Sequence, residues 1–301
     1  MTNGVNDPPT VVFLFGAGAS FGSKDCLPRP PPLGANLFKE LRALGGTAAG
    51  IDDSLAARFE NFEVGMAEFR ATRDHELTPF LLEMGHFFSS FEPGPHNYYR
   101  KLLEVILKSN LKIVLSTLNY DLLIEHAILH VGRAYCYAQN SGPALSLLKI
   151  HGSCNFVPDV PGVFRNLQFS GCQTIIDAPA KPLSIAETRQ FYSTEQAFPP
   201  VMSLYAKGKN VVSCPKFVET QLRDWGRAIA LAREIYVIGV RVNPDDRHVW
   251  GELQSAKGAL KYVGGAQEFI EWTRLVNRGN AMALAGTFEQ ALPLVERELQ
   301  A

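Results

Sequence analysis

Cysteine is sparse in this chain, and what there is does not cluster. Cys26, Cys136, Cys154, Cys172 and Cys214 make five, an odd number, and no Cys-x-x-Cys pair occurs. That spacing argues against both a disulfide framework and a structural zinc ribbon. Long hydrophobic runs are lacking too: none reaches the roughly 18–20 apolar residues of a bilayer-spanning helix. The short run at residues 11–19 is preceded by Asp7 and by no Lys or Arg. It does not read as a signal peptide, and a cytoplasmic protein is expected. Nor is there an excess of one charge. Lys and Arg number 29 against 30 Asp and Glu, for a net charge of −1 and a pI near 6.7. No global field therefore favours nucleic acid or an anionic membrane.

What is present is ordinary globular material. The 301 residues are 46% hydrophobic and 20% charged, enough to bury a substantial core in one large or two small domains. Residues 1–10 are polar and turn-rich and read as a frayed arm, with residues 11–301 as a single domain. Pro28, Pro30, Pro31 and Pro32 mark a stiff connector into a short helix at 36–44. Leu55, Phe59, Phe62, Met66 and Phe69 recur at helical spacing and predict one helix over 54–72, with Ser54 as its N-cap. Further helices are expected at 77–91 and around Tyr99, Leu102, Leu103 and Ile106. Together these form an inserted helical lobe over about 36–109. The proline-rich stretch 154–210 reads as loops with short elements. A helix over 219–234 leads into a strand at 235–240, and 260–263 is one more strand. Thr287 and Gln290 resemble a capping box opening a C-terminal helix over about 287–300, which Pro293 should kink or shorten.

Three separate stretches carry the chemistry. They are Gly16-Ala17-Gly18-Ala19-Ser20, then Thr117-Leu118-Asn119-Tyr120-Asp121, then Lys149-Ile150-His151-Gly152-Ser153. Each follows a run that reads as a buried parallel strand, at 11–15, 112–116 and 147–150. In an open parallel sheet, ligands gather outside the carboxyl ends of the strands, so the three can share one crevice. The glycines permit close backbone approach to a pyrophosphate. The next glycine, Gly22, breaks the dehydrogenase spacing, and no acidic strand end follows about twenty residues on. A hydride-transfer enzyme is disfavoured. The Asn119 amide offers a donor and an acceptor to ribose hydroxyls. Asp121 either caps the helix that begins after it or sits near positive charge developing on a sugar. His151, among seven histidines, is the best general base, since an ordinary imidazole accepts protons near neutrality. His126 and His130 lie four apart on one helical face, which fits either a packed face or two metal ligands lacking a third.

The order of glycine loop, Thr-x-Asn-x-Asp and His-Gly resembles the sirtuin (silent information regulator) superfamily, over about residues 11–250. Within it the chain is most similar to the sirtuin-like domains of bacterial anti-phage defence proteins. The segments Ile235-Tyr236-Val237-Ile238-Gly239 and Asn243-Pro244-Asp245-Asp246 extend the match. The resemblance implies an α/β fold: a Rossmann-like parallel sheet with helices on both faces and the helical lobe inserted. It implies NAD as substrate, with Asn119 and His151 catalytic. It implies cofactor contacts from Gly16, Ala17, Gly18, Ala19, Ser20, Thr117, Asn119, Asp121, Gly239 and Arg241; no metal is expected, since no cysteine or histidine set here matches a closed zinc site. Where family members carry Gly-x-Ser, this chain has Gly239-Val240-Arg241, so Arg241 either meets a phosphate or pairs with Asp245 or Asp246. The four-cysteine zinc module and the peptide-binding segment of deacylating sirtuins are not recognisable.

The expected function is therefore NAD glycohydrolysis, with water taking the anomeric carbon as nicotinamide leaves, in anti-phage defence by NAD depletion. The alternatives are a protein deacylase or ADP-ribosyltransferase, and a non-catalytic module sensing NAD or ADP-ribose. An NAD-draining enzyme needs restraint, from self-association, from a separate partner protein or from closure of the site by its own loops; a homo-oligomer, with or without a regulatory partner, is the favoured expectation, and membrane and nucleic-acid partners are not indicated.

Overall fold

The central strands are apolar on both faces, which is what a parallel sheet covered by helices on each side requires. The protein is described by a computed structural model over residues 10–139, 142–161, 176–194, 196–203 and 211–300. The 1–9 portion of the expected arm, Cys172 and parts of the 154–210 loop region lie outside the described residues.

The first strand, β1 (Thr10–Phe15), runs into the short helix α1 (Ala17–Phe21). A two-residue strand β2 (Cys26–Leu27) precedes helices α2 (Gly34–Leu44), α3 (Gly46–Ala49), α4 (Asp53–Arg58), α5 (Phe62–Arg73) and α6 (Leu77–Ser89). Strand β3 (Glu92–Pro93) pairs with β2, and α7 (Tyr98–Ile106) returns the chain to β4 (Lys112–Thr117). Next come α8 (Leu123–His130), β5 (Tyr135–Cys136), β6 (Leu145–Lys149), the antiparallel pair β7 (Phe156–Pro158) and β8 (Ala180–Pro182), and α9 (Ile185–Tyr192). The last third holds α10 (Pro215–Leu231), β9 (Ala232–Ile238), a π-helical turn at Arg247–Gly251, α11 (Glu252–Ser255), β10 (Ala259–Val263), α12 (Ala266–Leu275), β11 (Ala281–Ala285) and α13 (Phe288–Gln300).

Seven strands form one parallel sheet in the order β11-β10-β9-β1-β4-β6-β5. Alternate side chains of β1 take opposite faces. Val11, Phe13 and Phe15 join the large core under the helical block, where Phe13 stacks on Tyr236 at 4.8 Å and Phe15 meets Tyr99 edge-on at 5.2 Å. Val12 and Leu14 join a second core with Trp225, Ile229, Trp250 and Trp272 on the other face. The expected α/β architecture, a Rossmann-like parallel sheet flanked by helices, is the one observed. Among the described residues no helix is long and apolar enough to cross a membrane.

Local details differ from the sequence reading. The expected helix over 54–72 is two helices, capped by Asp52, which accepts Leu55 N–H at 3.1 Å, and by Asn61, which accepts Glu63 and Val64 N–H. Ser54 lies inside α4 and is not the cap. Tertiary packing sets the break, because Phe59 leaves the helical line to stack on Phe38 at 3.9 Å. The helix expected to reach 234 stops at Leu231, since the next residues extend to join the sheet. Helix α13 runs on through Pro293 to Gln300, so proline does not shorten it. Thr287 Oγ1 accepts Gln290 N–H at 3.3 Å, but the Gln290 side chain reaches Gly286 N–H, one residue early for a full capping box. The stretch before α10 carries a real capping box at Ser184 and Glu187, opening α9.

Candidate active site

Four strand ends stand abreast. Ile238 of β9 pairs with Phe15 of β1, Phe15 with Thr117 of β4, and Thr117 with Lys149 of β6. The residues just beyond that line are Gly239, Gly16, Leu118 and Ile150; Asn119 and His151 follow at equal steps on neighbouring strands. The parallel register alone thus brings the three stretches picked out from the sequence to one edge of the sheet.

Two glycines in this edge are there because backbone passes through the space of a side chain. Gly239 has φ +64°, and a Cβ on it would lie 2.0 Å from the Ala19 amide nitrogen. Gly152 has φ +79°, and its Cβ would lie 2.0 Å from the Val201 carbonyl oxygen. Ser153 N–H donates to that same carbonyl at 2.8 Å, and Ser203 N–H donates to His151 O at 2.8 Å. Gly152 therefore follows the histidine so that residues 201–203 can clamp the His151 backbone. The glycine loop is similarly occupied. Gly16 N–H donates to Ile238 O at 3.0 Å and Gly18 N–H to Gly239 O at 2.9 Å, so these amides brace β9. Ala17 is exposed, whereas Ala19 and Ser20 are buried.

Asn119 is buried at 8% exposure, and its amide is fixed from beneath. Its Nδ2 donates to Gly16 O and to Ser20 Oγ, both at 2.9 Å. Both donors are spent inside the protein, which leaves Oδ1 as the acceptor for an incoming hydroxyl. Thr117 is a brace for this residue: its hydroxyl donates to Phe15 O at 3.2 Å and accepts Asn119 N–H at 3.0 Å. The Ser20 hydroxyl also meets the Tyr99 hydroxyl at 3.1 Å. Burial pushes the Tyr99 phenol well up, so it stays protonated.

Asp121 is not the N-cap of α8, which is Leu122, but sits one residue before it and accepts Leu123 N–H at 3.1 Å. Burial raises its carboxyl above the usual 3.8, while the Lys149 charge, the Leu123 amide and the Ser20 hydroxyl pull it down. Beneath lies a buried ion pair that sequence reading missed. Lys149 Nζ donates to Asp121 O at 2.6 Å and to Glu125 Oε1 at 2.9 Å, with both side chains at 0% exposure. Tyr137 donates to Glu125 Oε1 at 3.0 Å and accepts from Asn155 Nδ2 at 2.8 Å. Lys149 inside an apolar strand was the available signal.

His151 is 7% exposed. Its Nε2 lies 2.9 Å from Nε2 of His248, whose Nδ1 is 3.9 Å from Asp246 Oδ1. His248 was also missed, because its spacing from Asp246 matters only once the segment after β9 reaches His151. Arg241 is exposed, and its carbonyl accepts the Trp250 indole N–H at 3.2 Å. His126 and His130 do not act together. His126 is packed with its Nε2 buried and its pKa lowered by burial, and His130 meets Arg100 at 3.3 Å. Among the described residues no group of three or more His, Cys, Asp or Glu side chains could hold a metal ion.

No protein-family model matches the chain, and no curated protein matches it. Solved structures do. A mutant Sir2 homologue in complex with ADP-ribose is similar at a TM-score of 0.53 and 16% identity, over 97% of this chain and 92% of that one. A Sir2 homologue in complex with NAD is similar at 0.51 and 15% identity, over 97% of this chain and 89% of that one. The parallel sheet and these likenesses together give the chain the sirtuin-like fold of Sir2 homologues.

Proposed function

We propose that the protein is an NAD glycohydrolase that releases nicotinamide and ADP-ribose. What supports this reading is that Asn119 and Asp121 follow β4 and His151 follows β6, neighbouring strands in register, with Asn119 bonded to the glycine loop at residues 16–20. The likeness to Sir2 homologues bound to NAD and ADP-ribose supports it. The reading takes residues 11–301 as one NAD-binding domain, with Gly16, Ala17, Gly18, Ala19 and Ser20 shaping the pyrophosphate berth and Gly239 and Arg241 at the adenosine end.

The chemistry assigned to each residue follows from its surroundings. Nicotinamide departs with the electrons of the C1′–N bond, and positive charge develops on the sugar. Asn119 Oδ1 accepts from a ribose hydroxyl or from the attacking water. Asp121 and its buried neighbours shape the floor. His151 accepts the proton that water loses as its oxygen bonds to C1′. Products are nicotinamide, ADP-ribose and one proton. The scattered cysteines and the lack of a recognisable peptide-docking segment weigh against an acyl-lysine substrate. In its biological setting, a cytoplasmic anti-phage response by NAD depletion, the enzyme would be restrained by self-association and a partner protein.

Purified protein incubated with NAD and resolved by chromatography tests this. Equal nicotinamide and ADP-ribose are expected from the wild type, and a loss of roughly 10²–10⁴ in rate from His151→Ala. Near-wild-type turnover by His151→Ala would refute the assignment. Nicotinamide release with ADP-ribose retained on protein would make it a transferase. Intact NAD, together with calorimetric binding of ADP-ribose, would make it a sensing module.

A further inference from the structure

Two histidines from distant parts of the sheet meet at this site, and the role of the second follows from how it gets there. His151 follows β6, whereas His248 follows β9, three strands away in the order β9-β1-β4-β6. At about 4.8 Å per strand those two strands stand roughly 14 Å apart, and the segment after β9 brings the His248 ring to that of His151. It is anchored on both sides of His248. Asp246 O accepts Val249 and Trp250 N–H at 2.9 and 2.8 Å, and Val249 and Trp250 are buried in the second core. The Trp250 indole N–H ties back to Arg241 O at 3.2 Å and packs on Trp272 at 4.9 Å. His151 is clamped from its own side by residue 203 through its carbonyl.

We propose that His248, backed by Asp246, is a positioning residue that fixes the ring orientation and tautomer of His151. Two imidazole nitrogens 2.9 Å apart cannot both present lone pairs, so one of them carries the hydrogen. A neutral imidazole has one N–H. The Asp246 carboxylate, 3.9 Å from His248 Nδ1, favours the hydrogen on that nitrogen and leaves His248 Nε2 as acceptor. His151 therefore donates through Nε2, and its basic lone pair resides on Nδ1. When His151 takes up a proton, the Nε2–H bond to His248 and the charge of Asp246 stabilise the resulting imidazolium. This orienting role is the one a carboxylate fills for the histidine of a hydrolytic triad, here relayed through a second ring.

The role in turnover rests on the NAD-cleaving reading; the hydrogen bond and tautomer do not. The test therefore has two arms on the full chain. In the first, ¹⁵N-histidine NMR of the free protein reads each ring nitrogen. His151 protonated at Nε2 is expected in the wild type, a tautomer mixture in His248→Ala, and restoration in His248→Gln, whose amide reaches a similar point and accepts the same hydrogen. An unchanged His151 tautomer in His248→Ala overturns the proposal, whether or not the protein cleaves NAD. In the second, steady-state kinetics should show kcat in His248→Ala down by about 10–100-fold, less than the roughly 10²–10⁴ ascribed to the base itself. KM should stay within about twofold, with partial recovery in His248→Gln. A raised KM at unchanged kcat would make His248 a substrate contact and also overturn the proposal. A wild type that cleaves no NAD, with the tautomers as expected, refutes only the NAD-cleaving reading.

Discussion

Removing the buried cation beneath the site should cost several kcal/mol of stability, on the order of 3–5. In Lys149→Met a side chain of similar length replaces one at 0% exposure, so packing is largely kept while the charge is lost. What remains is the Glu125 carboxylate, also at 0% exposure, with Oε2 already lacking a partner and Oε1 held by the Tyr137 hydroxyl at 3.0 Å. The Asp121 carbonyl loses its donor at 2.6 Å as well. Breaking one side of a buried pair costs about 3–5 kcal/mol, against roughly 5–15 kcal/mol for the whole stability of a typical domain. The partner substitution separates charge from packing. Glu125→Gln added to Lys149→Met removes the orphaned charge and keeps an acceptor for Tyr137, so the double variant should regain at least half the loss. Urea unfolding followed by circular dichroism at neutral pH reads both. A single variant within about 1 kcal/mol of wild type, or a double variant no better than the single, would refute the reasoning.

Two further outcomes are expected. Burial holds the Asp121 carboxyl above its ordinary 3.8, so its contribution to stability is fully present below that value and is lost as pH rises through the folded one. Asp121→Asn, which keeps an acceptor for Leu123 N–H, should therefore gain on the wild type as pH rises above the ordinary 3.8; parallel stability curves would show that the carboxyl is not raised. Light scattering coupled to size-exclusion chromatography should find a homo-oligomer at micromolar concentration. A strict monomer that cleaves NAD at full rate without a partner would exclude control by assembly.

Much of the architecture was legible because the strands that matter are short, predominantly apolar and bounded by glycine or polar turns. Strands β1, β4, β6, β9 and β10 were all anticipated to within a few residues. Helix α12 and strands β5 and β11 were not, since β5 has two residues and β11 reads Ala-Met-Ala-Leu-Ala, without β-branched or aromatic signal. The break between α4 and α5 was equally hidden. Helical spacing runs straight through Phe59, and only its stacking on Phe38 turns the chain there.

For the site, the sequence by itself determined which stretches end strands and which side chains stand there, because the period of two and the glycine punctuation are local properties. It placed Asn119, Asp121 and His151 at one edge for that reason. Tertiary structure alone decided how those groups are held. It spends both Asn119 donors on Gly16 and Ser20, puts Lys149 against Glu125, and brings His248 to His151. Each of these contacts joins residues at least 24 apart, and the longest spans 103. No periodicity records such a separation; it is set by the order of strands in the sheet.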